Sequence, residues 1–197
     1  MTGANAEQQA RGRGRPRDAE KDAAIREAAW RVLAEKGYEA FTFEAVADCA
    51  GCSRSTLYRR FANKAELVEA ALGATARLLE PVTGEGMAPR DALIAHATAL
   101  RAYMAAPRGP AMLSIMVSMP HHPELAAALQ RHQQREQAYY FREFDRLFPE
   151  GIASEKRDFA FHTLVGSIVF HVAVRRAAPG DAQIAQLVDH AIGLLRE

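Results

Sequence analysis

Cysteine, charge of one sign and long uncharged apolar runs are scarce in this sequence, and each scarcity closes a class of protein. Two cysteines cannot build a disulfide framework, so the fold has to rest on burial. The longest strongly apolar stretch free of Asp, Glu, Lys and Arg is Phe159–Val174. It is 16 residues long and carries His162, Ser167 and His171, whereas a bilayer span takes about 20 apolar residues. It reads as a buried helix, and no membrane partner is expected. No basic-then-apolar leader opens the chain, so the expected setting is the cytoplasm. With 25 Lys and Arg against 24 Asp and Glu, the formal net charge of +1 argues against a general polyanion sponge. No G-x-S-x-G, P-loop, dinucleotide fingerprint or paired-carboxylate motif occurs, so neither enzymatic chemistry nor a cofactor is expected.

The charge that is present is unevenly placed. Basic residues gather in the run Arg11, Arg13, Arg15, Arg17 and again at Arg54, Arg59, Arg60 and Lys64. Local basic clusters on a near-neutral chain suit a specific nucleic-acid contact. Residues 1–17 are polar, rich in Gly and Arg, and without an apolar period, which predicts a flexible basic arm. Within it Arg13-Gly14-Arg15-Pro16 resembles the core of an AT-hook, an extended peptide of the A·T-rich minor groove, whose enhanced negative potential attracts Arg.

From Asp18 onward the apolar period is helical. Ile25, Ala28, Ala29, Val32 and Leu33 share one face, and Gly37 stops the first helix. Thr42 caps a second helix running to about Cys49, Gly51 turns the chain, and Ser53 caps a third helix to about Arg60. Asn63 with Glu66 three residues on is the capping-box pattern for a fourth. Further helices are expected over 90–106, 110–119, 123–147, 154–177 and 181–195, punctuated by Pro107, Pro110, Pro120, Pro149 and Pro179. No convincing strand pattern appears. The expected fold class is all-α: an N-terminal helix-turn-helix DNA-binding unit over residues 18–63, and a C-terminal helical ligand-binding and dimerisation unit over 64–197.

Two short helices joined by a tight Gly turn place the second where it can enter a major groove. At about 100° per residue, Leu57 and Phe61 fall together toward the core. Ser55 and Arg59 then point away, flanked by Thr56 and Tyr58. Arg pairs bidentately with guanine, and hydroxyls bond several bases. Thr42, the amide end of the second helix and Lys64 are positioned for phosphate.

The segment Gly37-Tyr38-Glu39-Ala40-Phe41-Thr42-Phe43, followed by Val46-Ala47, Ala50-Gly51-Cys52-Ser53, Thr56-Leu57-Tyr58, Phe61 and Lys64, closely resembles the tetracycline-repressor (TetR) family, ungapped from about Ile25 to Leu67. The resemblance implies a homodimer that represses transcription from a near-palindromic double-stranded DNA operator and is released by a small-molecule effector. It puts Thr42, Tyr58 and Lys64 on phosphate and Arg54, Ser55, Thr56 and Arg59 on bases, with Ser53 beside them at the helix start. Cys52 departs from the family's usual Val, but Cys is a small, weakly polar hydrophobe that the turn accommodates.

Cys49 and Cys52 form a C-x-x-C, but a zinc site needs two further ligands and no second Cys pair exists. No metal is therefore expected. Oxidation of this pair, or a partner protein, is the alternative to a small ligand as the controlling input. In the C-terminal part, Met104, Met112, Ile115, Met116 and Met119, with Tyr140, Phe144 and His162, are the candidates for an adaptable, largely apolar pocket. Phe159, Val165, Gly166 and Val169, with Ile184, Leu187, Val188, Ala191 and Leu195, form two apolar helix faces. They fit either a dimer four-helix bundle or packing within one subunit.

Overall fold

The computed structural model describes residues 15–79, 86–106 and 108–196, with the side chains of 15–18 and 76–79 left aside. Among the described residues the fold is all-helical, with no strand. The elements are α1 (Arg15–Lys36), α2 (Phe43–Ala50), α3 (Arg54–Tyr58), α4 (Lys64–Leu79), α5 (Pro89–Ala105), α6 (Arg108–Ser118), α7 (Pro123–Leu147), α8 (Ser154–Val169) and α9 (Asp181–Leu194). A 3-10 turn (Met119–His121) joins α6 to α7, and a π turn (Phe170–Val174) follows α8. No described helix is long and apolar enough to cross a membrane.

Apolar periodicity positions the first unit. Ile25, Ala28, Ala29, Val32 and Leu33 of α1 are buried with Phe43, Val46 and Ala47 of α2, Leu57 of α3, and Leu67 and Val68 of α4. α4 then runs along α7, where Arg131 grips Glu69 with two hydrogen bonds of 2.7 Å. α5 is the central strut of the rest, packed against α7, α8 and α9. α6 lies on α1, so the second unit touches the first through that helix as well as through α4.

Three helix boundaries differ from the sequence reading. α1 begins at Arg15, inside the segment expected to be a flexible basic arm. Pro16 stands in its first turn, where a missing N–H costs nothing and the fixed φ suits a helix. Arg17 lies in the same turn, and Arg13 falls outside the described residues. α3 stops at Tyr58, with Arg59 closing it by donating its N–H to the Ser55 carbonyl. The helix expected over 154–177 ends its α-geometry at Val169 and widens into the π turn, where the Arg175 N–H reaches the Phe170 carbonyl at 3.1 Å. Arg176, at φ 53°, then turns the chain left-handed ahead of Pro179.

Candidate nucleic-acid interface and effector cavity

The turn between α2 and α3 is built by local hydrogen bonds. Thr42 holds an extended N-cap conformation, and its Oγ1 accepts from the Ala45 N–H at 3.1 Å. At the other end Gly51 takes φ 63°, ψ 35°, the left-handed conformation that a Cβ penalises. The following Cys52 N–H closes back on the Ala47 carbonyl at 3.0 Å, in the Schellman pattern. Ser53 starts α3, but its hydroxyl turns to Ser55 Oγ and Thr56 Oγ1, each at 2.9 Å, rather than to the backbone.

Leu57 anchors α3 by complete burial. Its opposite face carries Arg54, Ser55, Tyr58 and Arg59, all exposed, while Thr56 is half-buried. Tyr58 is 67% exposed and stands edge-on to Phe43, with ring centroids 4.9 Å apart, so α2 steadies the outward phenol. Arg54 pairs with Glu44 of α2. Both groups are exposed, and such pairs are worth little, so the guanidinium is cheaply exchanged to another anion. The Arg59 side chain has no hydrogen-bond or ion-pair partner among the described residues, whereas Arg60 turns back to Asp22 of α1 at 2.8 Å. Sequence reasoning did not show the Glu44 and Phe43 contacts, because they cross from one helix to the next.

Lys64 is more constrained than the sequence predicts. Its ammonium donates to the Tyr38 carbonyl at 3.1 Å and lies 4.0 Å from the Tyr38 ring centroid. An ammonium has three donors, so others stay available to phosphate. The α4 cap also differs in detail: Asn63 Oδ1 accepts from the Glu66 N–H, but Glu66 reaches the Ala62 N–H instead of that of Asn63.

Tyr38 is the hub of a clasp between the two halves. Its N–H donates to Ser114 Oγ of α6 at 2.7 Å, and its ring meets His122 edge-on at 5.0 Å. His122 Nε2 lies 3.0 Å from Glu39 Oε1. That hydrogen bond, then one from Ser118, lowers the Glu39 pKa, while burial, then Glu124 and Glu39, pushes the Tyr38 phenol up to about 12.

In the second half a cavity of about 310 Å³ opens between α5, α6, α7 and α8. Met104, Met112, Met116 and His162 line it as expected from sequence. Ile115 and Phe144 do not: both are fully buried in the core. Met119 packs partly buried against that core, and Tyr140 lines a smaller recess with His96 and Tyr139. The wall residues that sequence reasoning missed include Leu100, Tyr103, Leu129, His132, Glu136 and Phe161. They come from three helices, and no single helical period unites them. Val165 and Val169, read as dimer residues, also line the cavity.

The expected dimer faces divide. Ile184, Val188, Ala191 and Leu195 are buried within their own subunit because α9 turns its apolar stripe onto α5 and α8; Leu187 is half-buried beside them. On α8, Phe159 and Gly166 are exposed, followed by Phe170 and Val174 in the π turn. This is an apolar ridge left outside. Cys49 and Cys52 are both free and half-exposed, and Arg31 Nη1 stands 3.6 Å from Cys49 Sγ.

Comparison with known proteins agrees with this arrangement. The family model "Bacterial regulatory proteins, tetR family" matches residues 25–71, from mid-α1 into α4. The chain is 36% identical over 97 residues to the HTH-type transcriptional regulator YdeS of Bacillus subtilis (strain 168), covering 49% of this chain and 48% of YdeS. It is 34% identical over 112 residues to the DNA-binding transcriptional repressor TetR of Mycobacteroides abscessus, covering 57% and 59%. The chain thus spans 48% of YdeS and 59% of the mycobacterial repressor. In fold, a TetR family transcription regulator from Marinobacter aquaeolei VT8 superposes with a TM-score of 0.67 at 21% identity, over 92% of this chain and 98% of that one. Residues 25–71 thus match the helix-turn-helix unit of the TetR family of bacterial regulatory proteins, and the all-helical body behind it shares the fold of a solved TetR family regulator.

Proposed function

We infer that this protein is a DNA-binding transcriptional regulator that reads its operator with α3, acts as a homodimer in the cytoplasm, and represses until a small ligand releases it. The observation that carries the DNA-binding part is the outward face of α3. Arg54, Ser55, Tyr58 and Arg59 stand exposed on a helix pinned by buried Leu57, with Arg59 unpaired among the described residues. Arg59 and Ser55 supply base-edge contacts; Thr42, Tyr58 and Lys64 supply phosphate contacts. Selection of bound sequences from random DNA with the purified protein tests this. A recurring motif with a large specificity ratio over random DNA is the expected result. Weak binding governed only by salt, with no motif, would overturn it.

The release reading draws on α6. Met112 and Met116 of this helix line the cavity, and Ser114 of the same helix holds the Tyr38 backbone beside Lys64. A ligand that displaces α6 therefore pulls on the helix-turn-helix unit, in addition to any rotation passed along α4. The division of labour falls near the start of α4, with DNA reading in residues 18–63 and control in 64–197. The exposed α8 ridge of Phe159, Gly166 and Phe170 is the surface offered to a second subunit.

A further inference from the structure

The cavity wall is unusual in its charges. Among the described residues its formally charged members are Glu136 and Asp158, with no Lys or Arg. Asp158 accepts a hydrogen bond from Gln137 at 3.1 Å near the open side. Glu136 lies deeper: its carboxylate is 3.1 Å from His132 Nε2, and it also borders the small recess formed by His96, Tyr139 and Tyr140.

One buried polar side chain of this wall is left over. His132 is 1% exposed, and neither ring nitrogen has an aligned hydrogen bond, the approach to Glu136 being close but badly angled. Tyr103 is 8% exposed, and the Thr75 hydroxyl beside it, which gives its own proton to the Ala71 carbonyl, can still accept from the phenol. Buried polar groups are ordinarily satisfied, and an orphan invites a missing partner. If His132 turns an Nε2–H toward Glu136, its Nδ1 is left an acceptor. The site then offers a carboxylate and a bare acceptor nitrogen, with no Lys or Arg among its described lining. Two aromatic rings, Tyr103 and Phe161, line the same cavity. Aromatic rings lining a cavity favour a cation that comes to lie over a ring face. The remaining wall, from Met104, Met112, Met116 and Leu129, is apolar and adaptable.

We propose that the cavity takes an amphipathic organic cation, an amine or amidinium head held by Glu136 and His132 on an apolar body seated among the methionines. The inference rests on the reading above that this cavity is the effector site. Arg108, whose charge is felt by Tyr103, is outside the described cavity lining and is paired with Glu27 of α1.

Three probes with one body and different heads test it: 4-phenylbutylamine, 4-phenylbutanol and 4-phenylbutyrate. Each is titrated into the full-length protein carrying methyl-labelled methionine. The Met104, Met112 and Met116 signals should shift saturably, with Met87, outside the cavity wall, as the control. The amine should bind at least about tenfold more tightly than the carboxylate, a factor equivalent to about 1.4 kcal/mol. Glu136→Gln should erase that preference while leaving the alcohol's affinity unchanged. Equal or tighter binding of the carboxylate, or no cavity shift with any probe, overturns the proposal even if the variant proves unstable. So does an undiminished amine preference in folded Glu136→Gln. A parallel measurement on operator DNA separates the two readings. An amine that fills the cavity but leaves DNA affinity unchanged sustains the cation site and overturns ligand release.

Discussion

Arg59 and Gly37 show how much one residue can decide. Arg59 closes α3, stands in solvent and holds no partner among the described residues, so its side chain adds little to the fold. Arg59→Ala should leave thermal unfolding nearly unchanged while weakening operator binding by about 1–3 kcal/mol and relaxing sequence preference at one position. A folded variant with wild-type affinity and preference would remove Arg59 from the reader. Gly37 is constrained twice: its φ is +74°, and an added Cβ would sit 3.2 Å from Ser114 Oγ. The left-handed backbone alone costs a residue with a Cβ about 1–2 kcal/mol. Gly37→Ala should therefore destabilise the protein by at least that amount in denaturant unfolding. It should also loosen the hydrogen bond from Tyr38 to Ser114, since the same serine would have to move.

At the scale of the element, α8 and α6 each serve two neighbours. α8 buries Phe161, Leu164 and Ile168 and leaves Phe159 and Gly166 outside. A Cβ at Gly166 would meet nothing within 4 Å in the subunit. Gly166→Arg is therefore a clean probe: it should stabilise the isolated helix by up to about 1 kcal/mol through propensity yet abolish dimerisation. Sedimentation should show a folded monomer with poor DNA binding; an intact dimer would move the interface elsewhere. α6 joins cavity to clasp through Met112, Ser114 and Met116 within little more than one turn. Ser114→Ala should cost about 1 kcal/mol of stability through the lost hydrogen bond. It should also reduce the change in DNA affinity that a cavity ligand produces.

For the whole molecule, two-fold symmetry and linkage make the predictions. A dimer presents two copies of α3 about 34–36 Å apart, or a multiple of that spacing, on one face of the duplex. The selected operator should then be a near-palindrome with half-sites at that interval, and inserting half a helical turn between them should destroy tight binding. Coupling between ligand and DNA is reciprocal, so operator DNA should weaken ligand binding by the factor by which ligand weakens DNA binding, typically 5–150-fold. Calorimetry of a cavity ligand with and without operator measures it, and equal affinities would leave a DNA-binding protein without this switch.

Local sequence determined the helices of this protein and the face that α3 presents. Helical periodicity, the Thr42 cap and Gly51 are enough to fix α2, its turn and α3, because each depends on neighbours within five residues. The same local logic put Leu57 inside and Arg59 outside. Tertiary structure decided what no single period encodes. Arg54 meets Glu44, Lys64 meets Tyr38, and the cavity draws its wall from α5, α6, α7 and α8 at once. It also decided between two equal faces: an apolar stripe on α9 fits a partner subunit or its own, and only packing against α5 and α8 turned Ile184, Val188 and Ala191 inward. Burial is a property of what comes to lie opposite, which a stripe of apolar residues requires without specifying.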